Sequence, residues 1–298
     1  MKDARIVWMK TRAAIGAVLL VLAMATLAVL ISACGSGSSE PSVQRDQLIV
    51  ATTTSLNDSG LLDDVVLPAF EKQHPGVTVK VVAVGSGEAI AMGAKGEADV
   101  LLVHSPDDEA QFMADGHGTL RLPFAFNYFV IAGPKNDPAK VAAVSSAAAG
   151  FAAIAQARST FVSRGDESGT NKKELKIWAA AGVTPSGAWY ISSGQGMGET
   201  LRIASEKQGY TLTDLGTLLA QQDSLDLVPL FTASADLKNV YDVIAVNQNE
   251  FPAVNSAAAE QLAQLLVSAE GQKAIGEYGK SRYGKALFYP YAGSTGAY

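Results

Sequence analysis

An α/β fold in two lobes is predicted by three observations. Short apolar segments rich in β-branched residues alternate with segments of helical spacing, the strand candidates read as continuous apolar runs, and roughly 250 residues remain once the N-terminal segment is set aside. Continuous apolar strands must be covered on both faces, which predicts mainly parallel sheets flanked by helices. That length of chain fits two lobes better than one core.

The N-terminal segment has to be set aside because it reads as an address, not as structure. Lys2, Arg5, Lys10 and Arg12 form a basic stretch, and residues 13–33 carry no charge. The run is long enough to span a bilayer as an uncleaved anchor, which is the alternative reading. It ends in Leu30-Ile31-Ser32-Ala33-Cys34-Gly35, which resembles a bacterial lipobox, and Cys34 is the single cysteine, so it has no internal disulfide partner. Residues 1–33 are therefore expected to be a lipoprotein signal peptide, with cleavage before Cys34 and lipidation of its thiol. Residues 34–46, rich in Gly and Ser, are expected to be a flexible tether.

From there the elements follow in order. Residues 48–52 read as a strand, 61–73 as a helix, 77–84 as a strand, 89–95 as a helix and 100–104 as a buried strand. Further strands are expected at 129–132, 160–163, 189–192, 227–230 and 243–246. Helices are expected at 141–157, 172–181, 199–208, 215–221, 257–268 and 271–278. No internal repeat, heptad run or metal-spaced Cys/His cluster interrupts the pattern.

The net charge is −6, and the basic signal makes the remainder more acidic still. Nucleic acid is excluded as a partner, because no basic stripe could neutralise phosphates. An acidic protein that binds an anion must do so with local donors. Such donors are concentrated at three strand-to-helix junctions, where helix N-termini point N–H groups outward. These are Thr52-Thr53-Thr54-Ser55, then Gly85-Ser86-Gly87-Glu88-Ala89, then Ser163-Arg164-Gly165-Asp166-Glu167-Ser168-Gly169-Thr170. Any one of them alone reads as an ordinary helix cap or a tight turn, and Arg164 alone as a surface ion pair with Asp166 or Glu167. Their coincidence at equivalent places, with one arginine among them, describes an anion cradle.

Those three segments resemble the tungstate-binding components of ABC importers. The likeness extends to residues 99–104, to Trp189-Tyr190 with Gly194-Gln195-Gly196-Met197-Gly198, to residues 210–214 and to Leu287-Phe288-Tyr289-Pro290. The resemblance implies a two-lobed type II periplasmic binding protein fold with the ligand in the interlobe cleft. Lobe I would comprise residues 47–125 and 249–298 and lobe II residues 126–248, with crossings near 124–128 and 247–252. Thr54, Ser55 and Ser86 would come from one lobe and Arg164, Ser168 and Thr170 from the other, with Thr53, Gly87 and Gly196 as further contributors. The implied ligand is tungstate; molybdate, phosphate or sulfate are the alternative tetrahedral oxyanions. Partners would be the permease subunits of an ABC importer and, through the lipid anchor, the outer face of a membrane. The chain would act as a monomer, with no cofactor, metal or catalysis.

Two acidic residues bear on that site. Glu88 follows the second junction and would compete with a bound anion for the helix N-terminus, so it is expected to point away. Asp166 could accept a hydrogen bond from a protonated anion such as phosphate; it is expected instead to brace Arg164. An enzyme is the competing class, but no Gly-x-Ser-x-Gly elbow is present, and Gly279-Lys280-Ser281 lacks the first glycine of a phosphate loop, Ala274 standing there. His74, His104 and His117 lack metal-like spacing and read as surface or structural residues.

Overall fold

The computed structural model describes residues 46–232 and 235–293. The expected signal peptide, Cys34 and the tether up to Arg45 lie outside them. Three strands open the fold: β1 (Gln47–Thr53), β2 (Thr78–Val84) and β3 (Val100–Val103). β1 pairs in parallel with both of the others, as its continuous apolar run requires. The connections carry α1 (Thr54–Asp58), a π-helical segment (Leu62–Val66) running into α2 (Leu67–Gln73), and α3 (Ser86–Gly93). After β3 comes α4 (Pro106–Ala114), which has proline in its first turn.

The expectation of mainly parallel sheets needs correction. β4 (Gly118–Pro134) is a single strand of 17 residues, of which the sequence reading had only residues 129–132. Its first part pairs antiparallel with β9 (Lys238–Val246), which in turn pairs antiparallel with β3. Its last part pairs antiparallel with β7 (Thr211–Asp214) and β8 (Leu227–Phe231). The sheet is thus mixed, because the strand leaving the first lobe and the strand re-entering it lie side by side in opposite directions. Pro123, which has no N–H to donate, sits where the β4–β9 register shifts.

β4 changes partners between Tyr128 and Phe129, pairing with β9 before that point and with β7 and β8 after it. β9 pairs with β3, and its alternate residues enter the cores on both faces of that sheet.

Between β4 and β9 lie α5 (Ala147–Ala157), β5 (Phe161–Ser163), α6 (Gly169–Ala180), β6 (Tyr190–Ser192), α7 (Met197–Glu206) and α8 (Leu215–Ala220). α5 begins six residues later than the apolar run suggested, because Ser146 caps it by accepting from Ala149 N at 3.1 Å. The chain closes with α9 (Ser256–Val267), α10 (Ala269–Glu277) and a two-residue β10 (Tyr289–Pro290) beside β4.

Alternation along the strands divides the core by face. In the first lobe Leu48, Val50, Leu102, Tyr241 and Val243 pack on one side of the sheet, and Ala51, Leu101, Val103, Ile244 and Val246 on the other. In the second, Phe129 and Ile131 face Phe151, Phe161 and Trp178, while Val130 and Ala132 face Met197, Leu201 and Leu218. Both sheets are buried on both faces, which leaves their strand ends as the places to present polar groups.

Candidate functional site

The three donor-rich junctions become the N-termini of α1, α3 and α6. Thr53 caps α1, its Oγ1 accepting from Leu56 N at 3.2 Å. Gly85 precedes α3 in extended backbone, which places Ser86 in the first turn, fully buried. Ser168 caps α6, accepting from Asn171 N at 3.3 Å. Capping and anion binding do not compete for these hydroxyls. A capping oxygen accepts an N–H with a lone pair and keeps its own proton to donate.

His104, at the carboxyl end of β3, is where the junctions meet. Its Nε2 lies 3.2 Å from Ser55 Oγ, its backbone N–H points at Ser86 Oγ at 3.5 Å, and its Nδ1 lies 2.8 Å from Asn239 Oδ1. Gly169 presses on it from the other lobe; a Cβ there would come within 2.6 Å of the His104 carbonyl oxygen. A Cβ on Gly85 would lie 3.4 Å from Ser168 Cβ, and one on Gly87 3.4 Å from the Glu167 carbonyl. The α3 and α6 N-termini therefore face each other across the cleft. Burial lowers the His104 imidazole to a pKa of about 4, with the Arg164 charge acting in the same direction against Asn239 and Asp166.

The Arg164 loop is held from several sides. Gly165 has φ +60, and a side chain there would collide with Ser192 Oγ. The Arg164 carbonyl accepts from Gly194 N at 2.9 Å and Ser193 Oγ at 3.2 Å. Below it Glu174 is buried, accepting from Ser163 Oγ at 2.7 Å, Tyr190 OH at 2.7 Å and Trp178 Nε1 at 3.0 Å. Burial raises the pKa of that carboxyl, and the hydrogen bonds oppose the rise. Arg164 is only 2% exposed. It donates to Asp166 Oδ2 through Nε at 3.1 Å and through Nη2, while Asp166 Oδ1 accepts from Ser168 N at 3.2 Å. Asp166 braces the arginine and the start of α6, as expected.

Thr170, in the first turn of α6, is fully buried, and its Oγ1 has no hydrogen-bond partner. Glu88 is exposed on α3 while Ser86 is buried, which matches the expectation that it points away. Thr54 and Gly196 meet each other: Thr54 Oγ1 accepts from Met197 N at 3.1 Å, and Asp58 Oδ2 accepts from Gly198 N at 3.0 Å. The α7 N-terminus is thus capped by two side chains of α1. The sequence reading missed His104, Asn239 and Glu174. The position of His104 at a strand's carboxyl end was the available signal. Among the described residues no group of three or more His, Cys, Asp or Glu side chains could hold a metal.

The chain is similar to known proteins over most of its length. A PBP superfamily domain model matches residues 33–270. The tungstate-binding protein TupA of Peptoclostridium acidaminophilum is 41% identical over 280 residues, which are 92% of this chain and 97% of the relative. The solved structure of a tungstate ABC transporter protein from Geobacter sulfurreducens has 46% identity and a TM-score of 0.72, over 78% of this chain and 98% of that one. The tungstate-binding protein TupA of Desulfovibrio alaskensis G20 has 40% identity and a TM-score of 0.67, over 83% and 99%.

Proposed function

The chain belongs to the PBP superfamily, and within it we propose that this protein captures tungstate between its two lobes and delivers it to an ABC importer. The names of its relatives support the ligand. The observation that carries the site is Thr170 Oγ1, a wholly buried hydroxyl with no protein partner in the first turn of α6, the helix that follows the loop of the buried Arg164. An unpartnered buried donor costs roughly 1–3 kcal/mol, which an oxyanion would offset by accepting from it.

In this reading Thr54, Ser55, Ser86, Arg164, Ser168 and Thr170 donate, and the α3 and α6 N-termini add their positive ends. Tungstate at neutral pH is a tetrahedral dianion with acceptors on every side and no proton. Hydrogen bonds to a charged partner contribute roughly 1.5–3 kcal/mol each, so a handful of fixed donors suffices for tight binding. Phosphate usually keeps a proton at neutral pH and needs an acceptor. Both oxygens of Asp166 are already accepting from Arg164 and Ser168, which supports a site that penalises a protonated anion.

Anchoring belongs to the same proposal: lipidated Cys34 would tether the domain outside the cytoplasm, where it would act as a monomer and meet the importer's permease subunits. The test is competition calorimetry with tungstate, molybdate, sulfate and phosphate, on the parent and on Arg164→Lys. Tungstate should bind far more tightly than sulfate or phosphate without added metal. The lysine variant should lose at least about tenfold, because a point charge cannot reproduce a planar fork of donors. Phosphate binding of comparable strength, lost in Asp166→Asn, would make the protein a phosphate carrier.

A further inference from the structure

Three buried polar side chains, those of Asn127, Asn239 and His104, join Asp214 to Ser55 in a chain whose hydrogen-bond direction is fixed at one end. Asp214 Oδ1 accepts from the backbone N–H of Thr217 at 2.9 Å, so it is an acceptor whatever the state of the carboxyl. Asn127 must therefore present its NH2 to Asp214, at 3.1 Å, and its oxygen to Asn239 Nδ2, at 2.9 Å. Asn239 in turn presents its oxygen to His104 Nδ1, at 2.8 Å, which places the imidazole proton on Nδ1. In the neutral ring Nε2 is then an acceptor, and the group facing it at 3.2 Å is the Ser55 hydroxyl.

This direction creates a conflict with anion binding. Ser55 Oγ has one proton, and with His104 neutral that proton is drawn to Nε2. An oxyanion arriving at Ser55 would then meet a lone pair. The conflict disappears if Nε2 carries a proton as well. Ser55 Oγ would accept from His104 Nε2–H and from Thr53 Oγ1, 3.1 Å away, whose own lone pair is engaged by Leu56 N. Its proton would be released to the ligand.

Resting on the tungstate reading above, we propose that His104 is a positioning residue that takes up one proton from solvent when the anion binds, turning Ser55 from a donor to the imidazole into a donor to the anion. Without ligand the imidazole stays neutral, since burial and the Arg164 charge both disfavour the cation. A dianion in the cradle reverses that balance. The charged and titratable groups around the ring are Arg164 and Asp166 from the β5–α6 loop, the buried phenol of Tyr241 from β9 with ring centroids 4.8 Å apart, Asp214 at the far end of the relay, and the Asp108–Lys172 pair, which lines the same groove. The group titrates higher in the complex than in the free protein, so affinity rises as pH falls through the complex's value and levels off below the free value.

The experiment is calorimetric titration of the full chain with sodium tungstate between pH 6 and 9, in pairs of buffers with different ionisation enthalpies. The buffer dependence should report close to one proton taken up per anion at pH 6. The dissociation constant should fall with falling pH, by up to about tenfold per pH unit where uptake is complete. His104→Gln, which cannot titrate, should abolish both effects whatever its affinity. If that variant does not fold, the histidine ring nitrogens of the parent, observed by NMR with and without tungstate, give the same answer. Tungstate binding without proton uptake, or uptake that survives in His104→Gln, overturns the proposal and leaves the tungstate reading intact. Failure of the parent to bind tungstate overturns both.

Discussion

A hydroxyl can cap a helix and hold an anion at once, and this decides how single residues of the cradle respond to substitution. Thr54 and Ser168 each accept a backbone N–H, so removing either would remove a cap as well as a proposed ligand donor. Thr170 is different, because its Oγ1 is buried and makes no hydrogen bond at all. Thr170→Val keeps the shape and deletes an unpartnered polar atom, so the ligand-free protein should be at least as stable as the parent by thermal unfolding. Tungstate affinity should nevertheless fall by about tenfold or more, corresponding to one lost charge-assisted hydrogen bond. Loss of stability without loss of affinity would show that Thr170 packs and does not bind.

At the scale of elements, the arginine loop depends on what lies beneath it. Glu174, on the second turn of α6, ties Ser163 of β5, Tyr190 of β6 and Trp178 of its own helix into one buried knot. Glu174→Ala would strand three donors, which predicts a loss of about 3 kcal/mol in denaturant unfolding together with weaker tungstate binding, since Arg164 sits one residue beyond Ser163. A variant equally stable but weaker in binding would contradict this. The sequence made the strand-to-helix junctions legible, because a run of Thr, Ser and Gly after an apolar strand has few other uses. It also made the order of strands and helices legible through hydrophobic period. What it concealed was long-range: the partners of His104 lie 49 and 135 residues away, so a lone histidine at a strand end looked idle. The direction of β9 was concealed for the same reason. An apolar strand buried on both faces reads alike whether it pairs parallel or antiparallel.

For the molecule as a whole, the proposed capture depends on how readily the two lobes close, and among the contacts that bridge them two kinds bear on closure. α4 meets α6 through Asp108 with Lys172 and Asp107 with Lys176, and the second pair is 79% and 65% exposed. Solvent screening leaves such an exposed pair little to contribute. The other bridge is the cap that α1 places on α7, where Asp58 accepts from Gly198 N and Thr54 from Met197 N. Here a carboxylate of one lobe sits at the N-terminus of a ten-residue helix of the other, so closure satisfies N–H groups and meets the helix dipole together. If the open form leaves those N–H groups to water, the cap biases the equilibrium toward the closed form that grips the anion, and apparent affinity scales with the closed fraction. Losing a cap costs about 1 kcal/mol, so Asp58→Ala should weaken tungstate binding by roughly fivefold. The effect should be the same for molybdate, because Asp58 caps a helix and donates nothing to the ligand. Replacing Asp107 and Lys176 together by Ala should change affinity less than about twofold. Calorimetry of both variants with both anions checks this. A change in the tungstate to molybdate ratio for Asp58→Ala would place that residue in the ligand site itself, and a large loss from the surface pair would move control of closure to α4 and α6.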